Sequence, residues 1–269
     1  MQGRSGMSVE LESAGLDRLK SVTSIANMDP VYCKESDTII SIAKKMIASG
    51  HRSFPVLHKN SIVGIITIID ILNAFMREQN MNDAISAIMS RDIIFSDVND
   101  TIGHTLQKFK FSRRGRFPIF SKGELKGVVT ERDIVKHFAK VSFEMKVKEL
   151  MTAKPFFITP TATIFECLKS VVNTRYRRLP IVSDKKLVGM ITATDILDYL
   201  TKNNFHLPFL SKPIESIMIK KFFSVGQDED ISDAVSILKE KDIGGVPVVD
   251  DGKNLVGFIT ERDVLEEII

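Results

Sequence analysis

Apolar and polar positions follow two rhythms along this chain, and both return four times. From Thr38 to Gly50 the apolar residues Ile39, Ile42, Ala43, Met46 and Ile47 keep the i, i+3, i+4, i+7, i+8 spacing of one buried helical face. Gly50 suits a left-handed cap at the end of that helix. Equivalent helices are predicted from near Thr101, Thr163 and Asp230, where Ile231, Ala234, Val235 and Leu238 repeat the spacing. After each helix comes a short apolar run through a proline: Phe54 to Leu57, Phe117 to Phe120, Leu179 to Val182 and Val246 to Val249. A polar turn such as Ser183 to Lys186 or Asp250 to Asn254 then leads to a second apolar run, which predicts a hairpin. Proline cannot donate to a ladder, so the first strand of each hairpin is expected at a sheet edge or with its proline at a strand start. The second strand runs into another helix, as from Asp70 through Phe75. Each repeat thus reads helix, strand, strand, helix, with a short strand near a preceding methionine.

Fixed landmarks keep the repeats in register. Val63 to Asp70, Lys126 to Asp133, Val188 to Asp195 and Val256 to Asp263 share one pattern: Gly, two apolar residues and Thr, with Asp three positions after the Thr. The four aspartates stand 63, 62 and 68 positions apart. A methionine (Met28, Met89, Met151, Met218) precedes each Asp by 42 to 45 residues, and a proline (Pro55, Pro118, Pro180, Pro247) precedes it by about 15. The expected division is an N-terminal extension over 1–20 and repeats over 21–78, 84–140, 146–203 and 212–269.

Composition adds limits. With 43% hydrophobic and 26% charged residues in 269, the chain has the profile of a folded protein rather than a disordered one. The 37 basic residues against 34 acidic are too small an excess to argue for nucleic acid by themselves. Two cysteines, Cys33 and Cys167, offer neither a disulfide framework nor a four-cysteine zinc site, and both are expected to pack as small apolar residues. The longest apolar stretch, Ile62 to Ile69, is far short of the roughly 20 residues of a membrane span. No basic-then-apolar opening suggests a signal peptide, so the expectation is a cytoplasmic protein with no membrane partner.

These landmarks resemble the cystathionine-beta-synthase (CBS) domain family. Its members carry an apolar-Pro-apolar first strand, a Gly-apolar-apolar-Thr second strand and an Asp three positions on. The resemblance covers roughly residues 21 to 269, in an organisation similar to the gamma subunit of AMP-activated kinase. It implies an α/β chain of α+β CBS-type repeats, each with a small three-stranded sheet and flanking helices. It also implies that the repeats pair about pseudo-two-folds, first with second and third with fourth, into two Bateman modules. Clefts between paired repeats in the family commonly bind adenosine-containing ligands, and the modules usually regulate another protein. Monomers, or homodimers through module pairing, are expected.

An adenine nucleotide asks for acceptors facing its ribose hydroxyls, cations or N–H donors facing phosphate, and apolar surface for the base. Asp70, Asp133, Asp195 and Asp263 offer paired carboxylate oxygens, and Thr67, Thr130, Thr192 and Thr260 stand beside them. A helix starting there adds the positive end of its dipole. The same Thr-x-x-Asp is also a capping box, which needs no ligand, and the two readings stand about even on this chemistry alone. Basic residues just before the prolines (His51 and Arg52; Arg113, Arg114 and Arg116; Arg175, Arg177 and Arg178) resemble family positions that face phosphate. Arg52, Arg116, Arg177 and Arg178 are the first choices. Repeat four has Gly244 and Gly245 instead, so an unequal set is expected, with two sites occupied. Arg132 and Arg262 are further phosphate candidates or helix-start caps. Ile65, Val128, Met190 and Phe258 are candidate base walls.

Five histidines show no metal-ligand spacing, and no GxGxxG or GxxxxGK[ST] occurs. No metal, no catalytic cofactor and no catalytic residue is expected. The leading expectation is a non-enzymatic sensor of AMP, ADP or ATP that reports to an unknown client protein. S-adenosylmethionine fits the same carboxylates. A second reading places RNA or single-stranded DNA on the arginine clusters, with Phe111, Phe117 and Tyr176 as stacking partners. A third is an assembly scaffold whose Thr-x-x-Asp elements only cap helices.

Overall fold

A computed structural model describes residues 16–112, 114–138 and 143–269. Most of the expected N-terminal extension, and Arg113, lie outside the described residues.

The predicted four-part unit recurs. The first repeat contains β1 (Cys33–Lys34), α1 (Ile39–Ser49), β2 (Ser53–His58), β3 (Ser61–Thr67) and α2 (Ile68–Met76). The second contains β4 (Ser96–Asp97), α3 (Ile102–Ser112), β5 (Arg116–Ser121), β6 (Glu124–Thr130) and α4 (Glu131–Val135), which continues as a 3-10 turn over Lys136–Phe138. A short helix α5 (Val147–Leu150) and strand β7 (Thr152–Ala153) lead to α6 (Ile164–Thr174), β8 (Arg178–Ser183), β9 (Lys186–Thr192) and α7 (Ala193–Lys202). The fourth repeat holds β10 (Val225–Gly226), α8 (Ile231–Glu240), β11 (Gly245–Val249), β12 (Leu255–Thr260) and α9 (Glu261–Ile268).

Local chemistry accounts for the boundaries. Thr38 caps α1 by accepting from the Ser41 amide, and Gly50 closes it at φ 69°, as its sequence predicts. Its buried face is Ile39, Ile42, Ala43 and Met46. The corresponding cap of α6 is Arg175, a left-handed residue with a side chain, at φ 59°. Pro180 lies on an edge strand, since β8 and β9 form a two-stranded sheet, but the other three prolines do not mark sheet edges. β2 lies between β1 and β3, yet its parallel pairing with β1 starts only at Val56, the residue after Pro55. β5 and β11 pair with β4 and β10 in the same way, after Pro118 and Pro247. The missing proline donor therefore falls where that strand has no neighbour on its far side.

The repeats gather into two compact units. One holds Val31–Ile93 and Phe156–Phe222, the bodies of the first and third repeats. The other holds the described part of Met1–Pro30 with Ile94–Pro155 and Phe223–Ile269, the bodies of the second and fourth. Each unit has its own core. Phe54, Ile66, Ile71 and Leu72 meet Leu168, Val171, Ile196 and Leu197 in the first-and-third unit. Phe109, Phe117, Val129 and Ile134 join Val235, Val246, Ile259 and Val264 in the second-and-fourth unit. A body of roughly 60 residues is marginal on its own because it buries a small share of its surface, so each shares its apolar helix face with another.

Chain exchange accompanies this grouping. The segment leading each repeat packs on the second hairpin strand of its neighbour in sequence. Asn27 bridges Val128, Ser90 bridges Ile65, β7 pairs with β12, and Ile219 bridges Met190. Each landmark methionine lands on the landmark glycine of that hairpin. A Cβ on Gly127, Gly64, Gly257 or Gly189 would stand 2.8, 2.6, 2.1 or 3.0 Å from the sulfur of Met28, Met89, Met151 or Met218. First and second repeats, and third and fourth, thus trade leading segments, while helical cores join first to third and second to fourth.

Candidate functional site

Every Thr-x-x-Asp stands at the corner where the second hairpin strand becomes a helix. In all four the threonine is the N-cap and the aspartate is the third helical residue, with both capping-box bonds formed. Oδ2 of Asp70 accepts from the Thr67 amide at 2.8 Å and from its hydroxyl at 2.7 Å. Asp133, Asp195 and Asp263 repeat this with Thr130, Thr192 and Thr260, at 2.7 to 2.9 Å. Each threonine hydroxyl spends its proton on the carboxylate, so toward a ligand it is an acceptor. The Oδ1 atoms are left to other donors, and at Asp133 that donor is Lys136 Nζ at 3.0 Å.

Burial separates these corners from plain caps. Thr163-x-x-Glu166 at the start of α6 makes the same bonds at the surface, and they hold the Glu166 carboxyl below its ordinary range. Asp70, Asp195 and Asp263 make those bonds while largely withdrawn from water. Desolvation outweighs the threonine bonds, and all three carboxyls are pushed up. The positive charge of Arg175, a third-repeat residue, draws Asp70 of the first repeat part of the way back.

Strand register fixes which basic residues are equivalent. Ser53, Arg116, Arg178 and Gly245 each lie opposite the threonine of the corner. One residue earlier, the carbonyls of Arg52, Gly115, Arg177 and Gly244 accept the first helical amide, from Ile68, Glu131, Ala193 and Glu261. The first-and-third unit therefore carries Arg52, Arg177 and Arg178 at these two positions, and the second-and-fourth unit carries Arg116 with three glycines.

Arg132 and Arg262 are engaged within the second-and-fourth unit. Arg132 Nε donates to Glu261 at 2.6 Å and its Nη1 to Asp242 at 2.5 Å. Arg262 pairs with Glu131, whose carboxylate is almost fully buried. A Cβ on Gly115 would lie 2.9 Å from Glu131 Oε2, so that glycine leaves room for the carboxylate. Gly245 does the same for the Phe258 ring, 2.7 Å from its would-be Cβ. Sequence reasoning missed Glu131 and Glu261, although Thr-Glu-Arg-Asp occurs in repeats two and four and in neither other copy.

The four base-wall candidates share one position, opposite the hairpin proline and beside the exchanged segment. Ile65 and Met190 are buried there, whereas Val128 and Phe258 are half-exposed. Among the proposed stacking aromatics, Phe117 is fully buried against Phe109 and offers no face, while Phe111 and Tyr176 are exposed. Among the described residues no cluster of three or more His, Cys, Asp or Glu stands ready for a metal ion. No described helix is long and apolar enough to cross a membrane.

Comparison with known proteins agrees with the repeat geometry. An uncharacterized 33.4 kDa protein from the ribosomal RNA operon of Thermofilum pendens is 35% identical over 150 residues, 53% of this chain and 50% of that one. The uncharacterized protein MJ1225 of Methanocaldococcus jannaschii is 31% identical over 141 residues, 47% of this chain and 50% of that one. The chain spans about half the length of these curated relatives. The crystal structure of MJ1225, described as a proposed archaeal homologue of gamma-AMPK, superposes with a TM-score of 0.85 at 26% identity, over 93% of this chain and 100% of that one. A conserved uncharacterized protein from Pyrococcus horikoshii shares the fold, with a TM-score of 0.64 at 20% identity over 93% of this chain and 100% of that one. The CBS domain family matches residues 22–77, 85–140, 147–202 and 214–269, so most of the sequence lies inside four copies of one domain, and the chain belongs to the CBS domain family.

Proposed function

We propose that this chain is a non-catalytic, regulatory sensor of adenine nucleotides (AMP, ADP or ATP) whose ribose acceptors are the carboxylates at the Thr-x-x-Asp corners. The observation that carries this reading is the withdrawal of Asp70, Asp195 and Asp263 from water. A cap needs only the Glu166 arrangement, in which a solvated carboxylate costs nothing to keep ionised. Three desolvated carboxylates at equivalent helix starts are a standing cost that a ligand's hydroxyl donors would relieve. Arg52, Arg177 and Arg178, with Arg116, supply cations for phosphate. Ile65 and Met190 lie on the strands that lead into the Asp70 and Asp195 corners and are proposed to flank the base. The likeness to MJ1225, described as a proposed gamma-AMPK homologue, points the same way.

A sensor must transmit. A nucleotide shifts a conformational equilibrium only by its difference in affinity for two states, so a device reading the AMP to ATP ratio must contact the extra phosphates differently in each. The output is a client protein. Titration calorimetry of AMP, ADP, ATP and S-adenosylmethionine into nucleotide-stripped protein tests the reading. Saturable binding of the nucleotides supports it, and S-adenosylmethionine binding alone would redirect it to an adenosyl sensor. Binding of a single-stranded oligonucleotide with steep salt dependence, in place of nucleotide binding, would move the function to the arginine clusters.

A further inference from the structure

We infer that Glu131 and Glu261 are built-in counter-anions that keep phosphate-bearing ligands from the second and fourth repeats, so that nucleotide is taken by the first and third. The inference rests on the sensor reading above and assigns its sites.

Backbone equivalence carries the argument. Where the first helical amide bonds back across the hairpin, the accepting residue is an arginine in the first and third repeats (Arg52, Arg177) and a glycine in the second and fourth (Gly115, Gly244). The donor of that amide changes in concert. It is the apolar Ile68 or Ala193 in the arginine repeats and Glu131 or Glu261 in the glycine repeats. Charge at one corner is thus inverted between the two units. Gly115 shows the substitution in space, because the Glu131 carboxylate fills the volume that a side chain at 115 would enter.

The glutamates also consume the cations nearest them. Arg262 pairs with Glu131, and Arg132 with Glu261 at 2.6 Å, in a reciprocal set joining the second repeat to the fourth. Asp242 takes a further Arg132 nitrogen at 2.5 Å. Among the corner residues of the second-and-fourth unit, Arg116, Arg132 and Arg262, with Lys136 on Asp133, are matched by the four carboxylates Glu131, Asp133, Glu261 and Asp263, and Asp242 adds another beside Arg132. In the first-and-third unit the equivalent positions hold Arg52, Arg177 and Arg178 against two carboxylates, Asp70 and Asp195, and Arg175 adds a further positive charge acting on Asp70. Incoming phosphate meets an excess of cations in the first-and-third unit and no such excess in the second-and-fourth. Asp133 is further committed to Lys136, and α4, at five residues, has little dipole to offer.

Calorimetry with AMP on the full chain tests this. The pair Asp70→Asn and Asp195→Asn is expected to weaken binding at least tenfold, and Glu131→Gln with Glu261→Gln is expected to add a binding event absent from the wild type. Should the glutamate variant fail to fold, photolabelling of the wild-type chain with azido-AMP and peptide mapping decides. Label within 31–93 and 156–222 supports the inference, and label confined to 94–155 and 223–269 overturns it. A tenfold loss on Asp133→Asn with Asp263→Asn, matched by none on the first pair, overturns it while leaving the sensor reading in place. No AMP binding by the wild type overturns both.

Discussion

Asp70, Asp195 and Asp263 bind their protons more tightly in the folded chain than in the unfolded one, because burial raises their carboxyls. Their contribution to stability is therefore greatest below the ordinary carboxylate range and is lost as pH rises through the raised folded-state values. At neutral pH the ionised forms cost stability. Replacement of all three by Asn, which still accepts from the capped threonine amide, is expected to raise the melting temperature at pH 7, with the gain vanishing toward about pH 4. Thermal melts across that range check the sign. Glu166→Gln should do the reverse, since its carboxyl is held down and its ionised form is the stabilising one. Arg175 supplies a second test. Held left-handed at φ 59°, it costs about 1 kcal/mol that glycine would not, yet its charge lowers Asp70. Arg175→Gly should leave stability within about 1 kcal/mol of wild type while the Asp70 carboxyl titrates higher by NMR. The carboxylates and threonines were legible from their register. The Glu131 and Glu261 pairings were not, because each partner lies in a repeat more than 100 positions away.

Between elements, the decisive contact is methionine on glycine. The sequence showed both landmarks at constant separation, but nothing local says that Met28 serves Gly127 or that Met89 serves Gly64. Exchange is a property of how segments cross, and periodicity reads only one segment at a time. The two kinds of glycine site predict different rescues. At Gly257 the obstructing atoms all belong to the flexible Met151 side chain, so Gly257→Ala should cost about 1–3 kcal/mol, and Met151→Ala should restore part of it. At Gly64 a new Cβ also meets the Ser90 carbonyl at 2.9 Å, so Met89→Ala should rescue Gly64→Ala less well. Denaturant midpoints of the four variants and two doubles measure the difference. The hairpin prolines carry a related lesson. A proline forbids a neighbour on one side only, and in repeats one, two and four a short parallel strand starts just past it, which leaves the proline-bearing strand in the middle of its sheet.

For the whole molecule, two cores built from alternate repeats give the chain two chemically different faces of one motif. Helix spacing showed that each repeat has an apolar side to bury, and left open which other repeat buries it. The first-and-third unit carries arginines before its hairpin strands and no glutamate at its helix starts, whereas the second-and-fourth unit pairs Arg132 and Arg262 with its own glutamates. A nucleotide at a hundredfold excess over its Kd should therefore stabilise the chain by about 2.7 kcal/mol for each site filled. Calorimetric titration of AMP into the nucleotide-stripped full chain, beside the Asp70→Asn and Asp195→Asn double variant, bears most directly on this account. Saturable binding that falls at least tenfold in the folded variant is the predicted result. Absence of heat and of any melting shift with AMP, ADP and ATP, or an affinity untouched by the two substitutions, would contradict it.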